Sequence, residues 1–252
     1  MWGIEDKVVI VTGGGKGIGR AYVEAFVAAG ARVAIADIDQ NAAAALAAEL
    51  QHQGHRVLAR KVDVADAESC LNFVRDVWDE WQGMHVLVNN AAIYSTLTRK
   101  SFTEIKGEEW DQVMAVNLKG MLLCSQAVFP YMKRQQYGKI INISSSSFLK
   151  GSPHFLHYVT SKAGVVGFTR ALAREVGEDG ITVNAVSPGL TDSGANEQVS
   201  PAERFEKAII GRSLKRVQFP TDLTGTVLFL ASSYSDFITG QLLNVDGGES
   251  MH

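Results

Sequence analysis

Tyr158 and Lys162 stand four residues apart in the run Tyr158-Val159-Thr160-Ser161-Lys162. On an α-helix, positions i and i+4 share a face, so this spacing sets an ammonium beside a phenol. A free phenol, with a pKa of ~10, is a poor base at neutral pH. A cation ~4 Å away at an effective dielectric of ~20 supplies ~4 kcal/mol, roughly three pKa units, which would make the tyrosine a working proton acceptor. An ordinary amphipathic helix can carry the same pair at its rim, so the spacing gains meaning only from its surroundings. A serine run, Ser144 to Ser147, lies just upstream.

A second chemical signal opens the chain. Thr12-Gly13-Gly14-Gly15-Lys16-Gly17-Ile18-Gly19 follows an apolar run and leads at once into a helical stretch from Arg20. Glycines let backbone amides approach a pyrophosphate, and a new helix presents its positive end to that charge. The spacing is G-x-x-x-G-x-G, which departs from the strict G-x-G-x-x-G fingerprint. Asp37 stands 18 positions beyond Gly19 at the end of the next apolar run. A carboxylate there accepts hydrogen bonds from an adenosine ribose and repels a 2′-phosphate, which favours NAD over NADP. Lys16 argues weakly the other way, and a helix cap is the bland alternative for Asp37.

The elements that must position these groups alternate. Val8 to Val11, Arg32 to Ala36, Arg56 to Ala59, Val86 to Val88, Ile140 to Ile143, Ile181 to Val186 and Leu242 to Val245 are apolar, β-branched runs. Continuous runs of this kind point to strands covered on both faces. Between them Ala42 to Leu50, Glu68 to Trp81, Trp110 to Met132 and Val159 to Val176 have helical character. Strand and helix in turn imply an α/β fold, a Rossmann-type doubly wound parallel sheet of seven strands, with ligands at the carboxyl ends of the strands. One domain spanning 1–252 accounts for the length. A substrate lid is expected at about 190–218, with a helix starting at Ser200-Pro201-Ala202-Glu203 that carries Phe205, Ile209 and Ile210.

Bulk properties narrow the partners. The chain has 252 residues, 46% hydrophobic, and a net charge of −3 with mixed signs. No basic face suggests nucleic acid, and no apolar run is read as approaching the ~20 residues that span a bilayer. The first strand begins near Lys7, leaving no room for a signal peptide, so a cytoplasmic protein with a small-molecule partner is expected. Cys70 and Cys124 are far apart in sequence and fit reduced thiols. His52 and His55, like His154 and His157, lack a third ligand at metal spacing, so no catalytic metal is expected.

With Thr12 to Gly19, Asn89-Asn90-Ala91, Tyr158-x-x-x-Lys162 and Ser187-Pro188-Gly189 in order, the chain resembles a short-chain dehydrogenase/reductase over essentially its whole length. That resemblance implies a catalytic tetrad of Asn117, Ser145, Tyr158 and Lys162. Tyr158 would exchange the alcohol proton as hydride moves to or from the nicotinamide, Ser145 would hold the substrate oxygen, and Asn117 would position a water linking Lys162 to solvent. Lys162 would also bind the nicotinamide ribose. The cofactor would meet Gly13, Gly15, Gly17, Ile18, Gly19 and Asp37. Asp63 and Val64 would contact the adenine, Asn90 would lie alongside, and Pro188, Gly189 and Thr191 would flank the nicotinamide. Two residues depart from the family habit: Ala92, commonly glycine, and Ser193, often threonine. The resemblance also implies a homotetramer with Phe237 to Leu243 near an interface.

For the substrate, Tyr94, Phe148, Leu149, His154, Phe155 and Leu190, with Phe205 and Ile209 from the lid, are expected to form an apolar, partly aromatic wall. Such a wall suits a hydrophobic secondary alcohol or ketone, cyclic or aryl, and the segments Pro188 to Ser193 and Val245 to His252 resemble members acting on such compounds. The alternatives are a 3-oxoacyl-thioester reductase, a sugar dehydrogenase, or a cofactor-binding regulator without turnover. The six-residue tail from Gly247 either frays or reaches a neighbouring subunit's lid.

Overall fold

The computed structural model describes residues 2–194 and 202–251. Each apolar run forms a strand: β1 (Val8–Thr12), β2 (Arg32–Asp37), β3 (Val57–Lys61), β4 (Val86–Asn89), β5 (Gly138–Ile143), β6 (Ile181–Pro188) and β7 (Leu242–Val245). They pair in parallel in the order β3-β2-β1-β4-β5-β6-β7. Val9 sits between Val33 on one side and Val86 on the other, so the central strands are hydrogen-bonded on both edges.

The helices are α1 (Gly17–Ala28), α2 (Gln40–His52), α3 (Ala67–Trp81), α4 (Gly107–Met114), α5 (Gly120–Gln135), α6 (Ser147–Lys150), α7 (Leu156–Val176), α8 (Ala202–Gly211) and α9 (Thr221–Ala231). They cover both faces of the sheet, as its continuous apolar strands require. Tyr22, Phe26, Leu46, Leu223, Val227 and Leu230 pack one apolar layer. Phe73, Val77, Cys124, Val128, Met132 and Val176 pack the other. Strand reversal beside β1 leaves a crevice at the carboxyl ends of β1 and β4, where this sheet class binds its ligands.

Two expectations change. The helix expected over Trp110 to Met132 is two helices joined by a π-turn, Ala115–Lys119. The continuous helical stretch Gly107–Gln135 is long and apolar enough to cross a membrane, contrary to the sequence reading. Here Met121, Cys124, Val128 and Met132 instead bury its apolar side within the domain, which is why the stretch is so apolar. The two cysteines, distant in sequence, lie with their sulfurs 3.7 Å apart between α3 and α5, both unbridged and buried. The lid helix is present as α8, while its expected cap, Ser200 and Pro201, lies outside the described residues.

Candidate active site

The site begins with the turn between β1 and α1. Asn90 donates from Nδ2 to the carbonyls of Thr12 and Gly13, both at 3.0 Å, which ties the end of β4 to the glycine loop. Thr12 accepts at Oγ1 from the amides of Asn90 and Ala91, each at 3.0 Å. Gly19 is required sterically, since a Cβ there would lie 1.9 Å from the Gly13 carbonyl oxygen. No side chain caps the first turn of α1, so its amides remain directed at the cavity wall formed by Gly17, Ile18 and Gly19. That bare helix start and glycine cradle fit a pyrophosphate.

Asp37 closes β2 with both carboxylate oxygens engaged. Oδ2 accepts from Gly15 N at 2.8 Å and Oδ1 from Asp39 N at 2.9 Å. The helix cap belongs to Asp39, which accepts from Ala42 N and so leaves Asp37 facing the cavity. Lys16 is drawn to Asp39 at 2.5 Å, away from the role of a 2′-phosphate partner. Gly15 was expected against the cofactor. It is not on the cavity wall, because its amide is turned to Asp37.

One cavity of about 590 Å³ runs from this loop to the helix that carries Tyr158. Gly13, Asp63, Val64, Asn90, Ser145, Tyr158, Lys162, Pro188, Gly189 and Thr191 all line it. Tyr158 and Lys162 lie on the first turns of α7 and are buried, with 7% and 2% of their surfaces exposed. Ser145 reaches the same cavity from the end of β5, close enough to the Tyr158 hydroxyl to favour its ionised form. Lys162 Nζ donates to the Ile143 carbonyl at 2.8 Å and lies 5.8 Å from the centre of the Tyr158 ring.

Burial overturns the expected electrostatics of this pair. It pushes the Tyr158 phenol above its ordinary value, Tyr94 adds to that, and only the Ser145 hydrogen bond pulls down. Burial likewise lowers the Lys162 ammonium to about 7. Removing charge from water disfavours the phenolate and the ammonium alike, so the cation does not dominate the phenol as the simple Coulomb sum implied.

Asn117 is fully buried in the π-turn and does not line the cavity. Its Oδ1 accepts from Ile93 N at 2.7 Å, and Nδ2 donates to Ile93 O at 3.2 Å and Ser161 Oγ at 3.1 Å. The widened turn aims the amide across to α7, a common use of π-bulges at functional sites. It therefore couples the Tyr158 helix to the loop after β4.

The substrate wall is the part read least well. Tyr94, Phe155 and Leu190 line the cavity, but Phe148, His154, Phe205 and Ile209 do not. On α8 the inward face carries Arg204 and the buried Ala208, one helical step of ~100° from Phe205 and Ile209. His154 sits in a left-handed turn, φ 60°, where its carbonyl accepts from Lys100 N. Phe148 belongs to the short α6, whose serines face the cavity. Polar groups missed by the sequence reading take these places: Arg99, Gln112, Ser147, Lys150, Ser152 and Arg204.

Residues 248–250 of the tail are tied to their own chain, Met251 is exposed, and His252 lies outside the described residues. Glu249 binds Lys150 at 2.6 Å and approaches Arg212 Nε at 3.9 Å, and Gly248 and Glu249 donate their amides to Asp246.

The family profile described as Enoyl-(Acyl carrier protein) reductase matches residues 13–250. The chain belongs to the short-chain dehydrogenase/reductase family. It is 37% identical over 250 residues to the (2S)-[(R)-hydroxy(phenyl)methyl]succinyl-CoA dehydrogenase subunit BbsD of Thauera aromatica, covering 99% of this chain and 98% of that one. It is also 37% identical to the 3-oxoacyl-[acyl-carrier-protein] reductase FabG of Thermotoga maritima, covering 97% and 98%. Among solved structures, a 3-ketoacyl-(acyl-carrier-protein) reductase from Brucella melitensis complexed with NADH superposes with a TM-score of 0.92 at 28% identity, covering 98% and 100%. This short-chain dehydrogenase/reductase is thus an oxidoreductase of CH–OH and keto groups that uses a nicotinamide cofactor.

Proposed function

We propose that the protein interconverts 3-hydroxyacyl and 3-oxoacyl thioesters with NAD as the hydride carrier. The observation that carries this reading is that Gln112, Ser147 and Ser152 line the same cavity as Ser145 and Tyr158, while Phe148, Phe205 and Ile209, the apolar side chains expected for a hydrophobic cyclic or aryl alcohol, do not. Relatives named for acyl-thioester substrates support it. Asp37 once argued against it, because a carboxylate at the adenosine ribose disfavours NADP. A Brucella melitensis 3-ketoacyl-(acyl-carrier-protein) reductase complexed with NADH weighs against that objection.

The bound nicotinamide would supply or accept the hydride. Tyr158 gives the proton to the ketone oxygen during reduction and takes it from the alcohol during oxidation. Ser145, on the same cavity wall beside that phenol, holds the same oxygen where charge develops. Lys162, anchored on Ile143, borders both the phenol and the cofactor cavity. Asp37 selects the adenosine ribose without a phosphate. Phe237 is fully exposed and β7 is half-buried at the sheet edge, which supports a homotetramer that covers this edge; a monomeric mass in sedimentation would contradict it.

The test follows NADH consumption with acetoacetyl-CoA against cyclohexanone and acetophenone. The thioester should have the higher kcat/KM, by about tenfold or more. Equal or better turnover of the ring ketones would return the substrate to the hydrophobic alcohol class.

A further inference from the structure

The helix that carries Tyr158 starts without a cap of its own. Phe155 stands at its N-cap position with φ −145° and ψ 32°, and no side-chain cap hydrogen bond is made there. The residue before it, His154, turns through the left-handed region at φ 60°. Tyr158 lies in the first turn of α7, so a helix start left to fray would blur the position of the proton-transfer group.

Contacts from elsewhere supply the hold that this start lacks. His157, one residue before Tyr158, is fully buried, and its Nε2 lies 3.1 Å from Oε1 of Glu109 on α4. Glu109 Oε2 accepts from Lys100 Nζ at 2.7 Å, and Lys100 N donates in turn to the His154 carbonyl at 3.0 Å. One carboxylate thus ties α4 to the entry of α7 on both sides of Phe155. One helical turn beyond Glu109, Val113 shares a buried cluster with Leu97, Phe155 and Tyr158. Lys100 first holds the Glu109 carboxyl below its ordinary range, burial opposes, and His157 adds to the lowering. An ionised carboxylate only accepts, so Nε2 is the donor, and the neutral ring leaves a lone pair on Nδ1. Nδ1 is buried without a partner among the described residues, so the bond to Glu109 is the one hydrogen bond the ring makes.

We propose that His157 and Glu109 are positioning residues, which fix the first turn of α7 so that the Tyr158 hydroxyl meets the substrate oxygen. The proposal rests on the reading of Tyr158 as the proton-transfer group and is independent of which ketone is the substrate. The experiment measures kcat, KM and NADH Kd with NADH and whichever of acetoacetyl-CoA, cyclohexanone and acetophenone the wild type reduces fastest. Glu109→Ala and His157→Leu should lower kcat by about 10- to 100-fold, the scale of a small misplacement of a reacting group, with NADH Kd within about twofold. Glu109→Gln keeps an acceptor for Nε2 and should keep kcat within about threefold. His157→Gln, whose amide nitrogen reaches the place of Nε2, should do the same. His157→Asn reaches only the place of Nδ1 and should behave as His157→Leu. In a Tyr158→Phe background Glu109→Ala should change the residual rate by less than about twofold, because a residue that acts through the phenol then has nothing to position. Hydrogen exchange adds a measurement that needs no ketone: amide protection over 156–162 should fall in Glu109→Ala.

Wild-type kcat in both Glu109→Ala and His157→Leu overturns the proposal, as does equal amide protection in Glu109→Ala and wild type. So does His157→Gln no faster than His157→Asn. The same fold-loss in the Tyr158→Phe background, or a parallel loss of NADH affinity, would make the pair a general support of the fold and overturn it too. Tyr158→Phe at the wild-type rate would sink the reading of Tyr158 and the proposal together. An inactive Tyr158→Phe beside an unchanged Glu109→Ala would sink the proposal alone.

Discussion

Lys162 lies over the Tyr158 ring, its Nζ 5.8 Å from the ring centre and bonded to the Ile143 carbonyl. The two groups that i, i+4 spacing brings together are both buried, so each is held in the protonation state with less charge. Their chemistry is therefore coupled to whatever enters the cavity beside them.

Lys162 makes the ligand-free protein's stability depend on pH. Its folded value, about 7, lies below the 10.5 of an exposed lysine. Between those values the unfolded chain binds more protons, so stability rises with pH across the window from about 7 to 10.5. The burial cost is fully present below pH 7 and relieved towards pH 10. Lys162→Met should flatten this rise, with the difference in unfolding free energy between pH 6 and pH 10 shrinking by up to about 5 kcal/mol. Urea titrations at the two pH values measure it. An unchanged pH slope would mean that the buried ammonium is already compensated.

Asp37, proposed to hold the adenosine ribose, also holds the loop through Gly15 N and Asp39 N. Asp37→Asn keeps an acceptor but removes the charge that repels a 2′-phosphate. The ratio of kcat/KM for NAD over NADP should fall by about tenfold or more. A wild type that already prefers NADP would show that Lys16 outweighs Asp37 despite its pairing with Asp39.

Glu249 joins three parts of the chain: the tail, Lys150 beyond the serine run, and Arg212, whose Nη2 donates to Leu190 O at 2.6 Å. Arg212 is buried, so Glu249→Ala leaves its cation with less compensation and should cost about 3 kcal/mol. The substrate KM should rise several-fold while the NAD KM holds. Deleting residues 250–252 spares Glu249 and should change little beyond the Asn244–Ser250 hydrogen bond. Loss of substrate affinity in the deletion alone would restore a closing role for the last residues.

The sheet was legible because its strands are continuous runs such as Val8 to Val11, and the glycine loop because only glycine fits at Gly19. The Tyr158–Lys162 pair was legible because the two share one helix, whose period carries side-chain direction into sequence. Arg99 was not, since it stands in an aperiodic loop and meets Phe155 across 56 positions of sequence. Phe205 and Ile209 were misplaced by one helical step, because amphipathic pattern gives a buried face but not the neighbour it faces. The Cys70–Cys124 contact and the Asn117 bonds to Ile93 and Ser161 likewise depend on how helices pack.

The central claim is that Tyr158 moves the proton. The most direct measurement is kcat for Tyr158→Phe with saturating NADH and 3-oxoacyl thioester, beside the Kd for NADH. The phenol oxygen alone is removed, so turnover should fall by about three orders of magnitude or more while NADH affinity stays within about twofold. A variant that keeps even about a tenth of the wild-type rate would place the proton on another group and contradict the account.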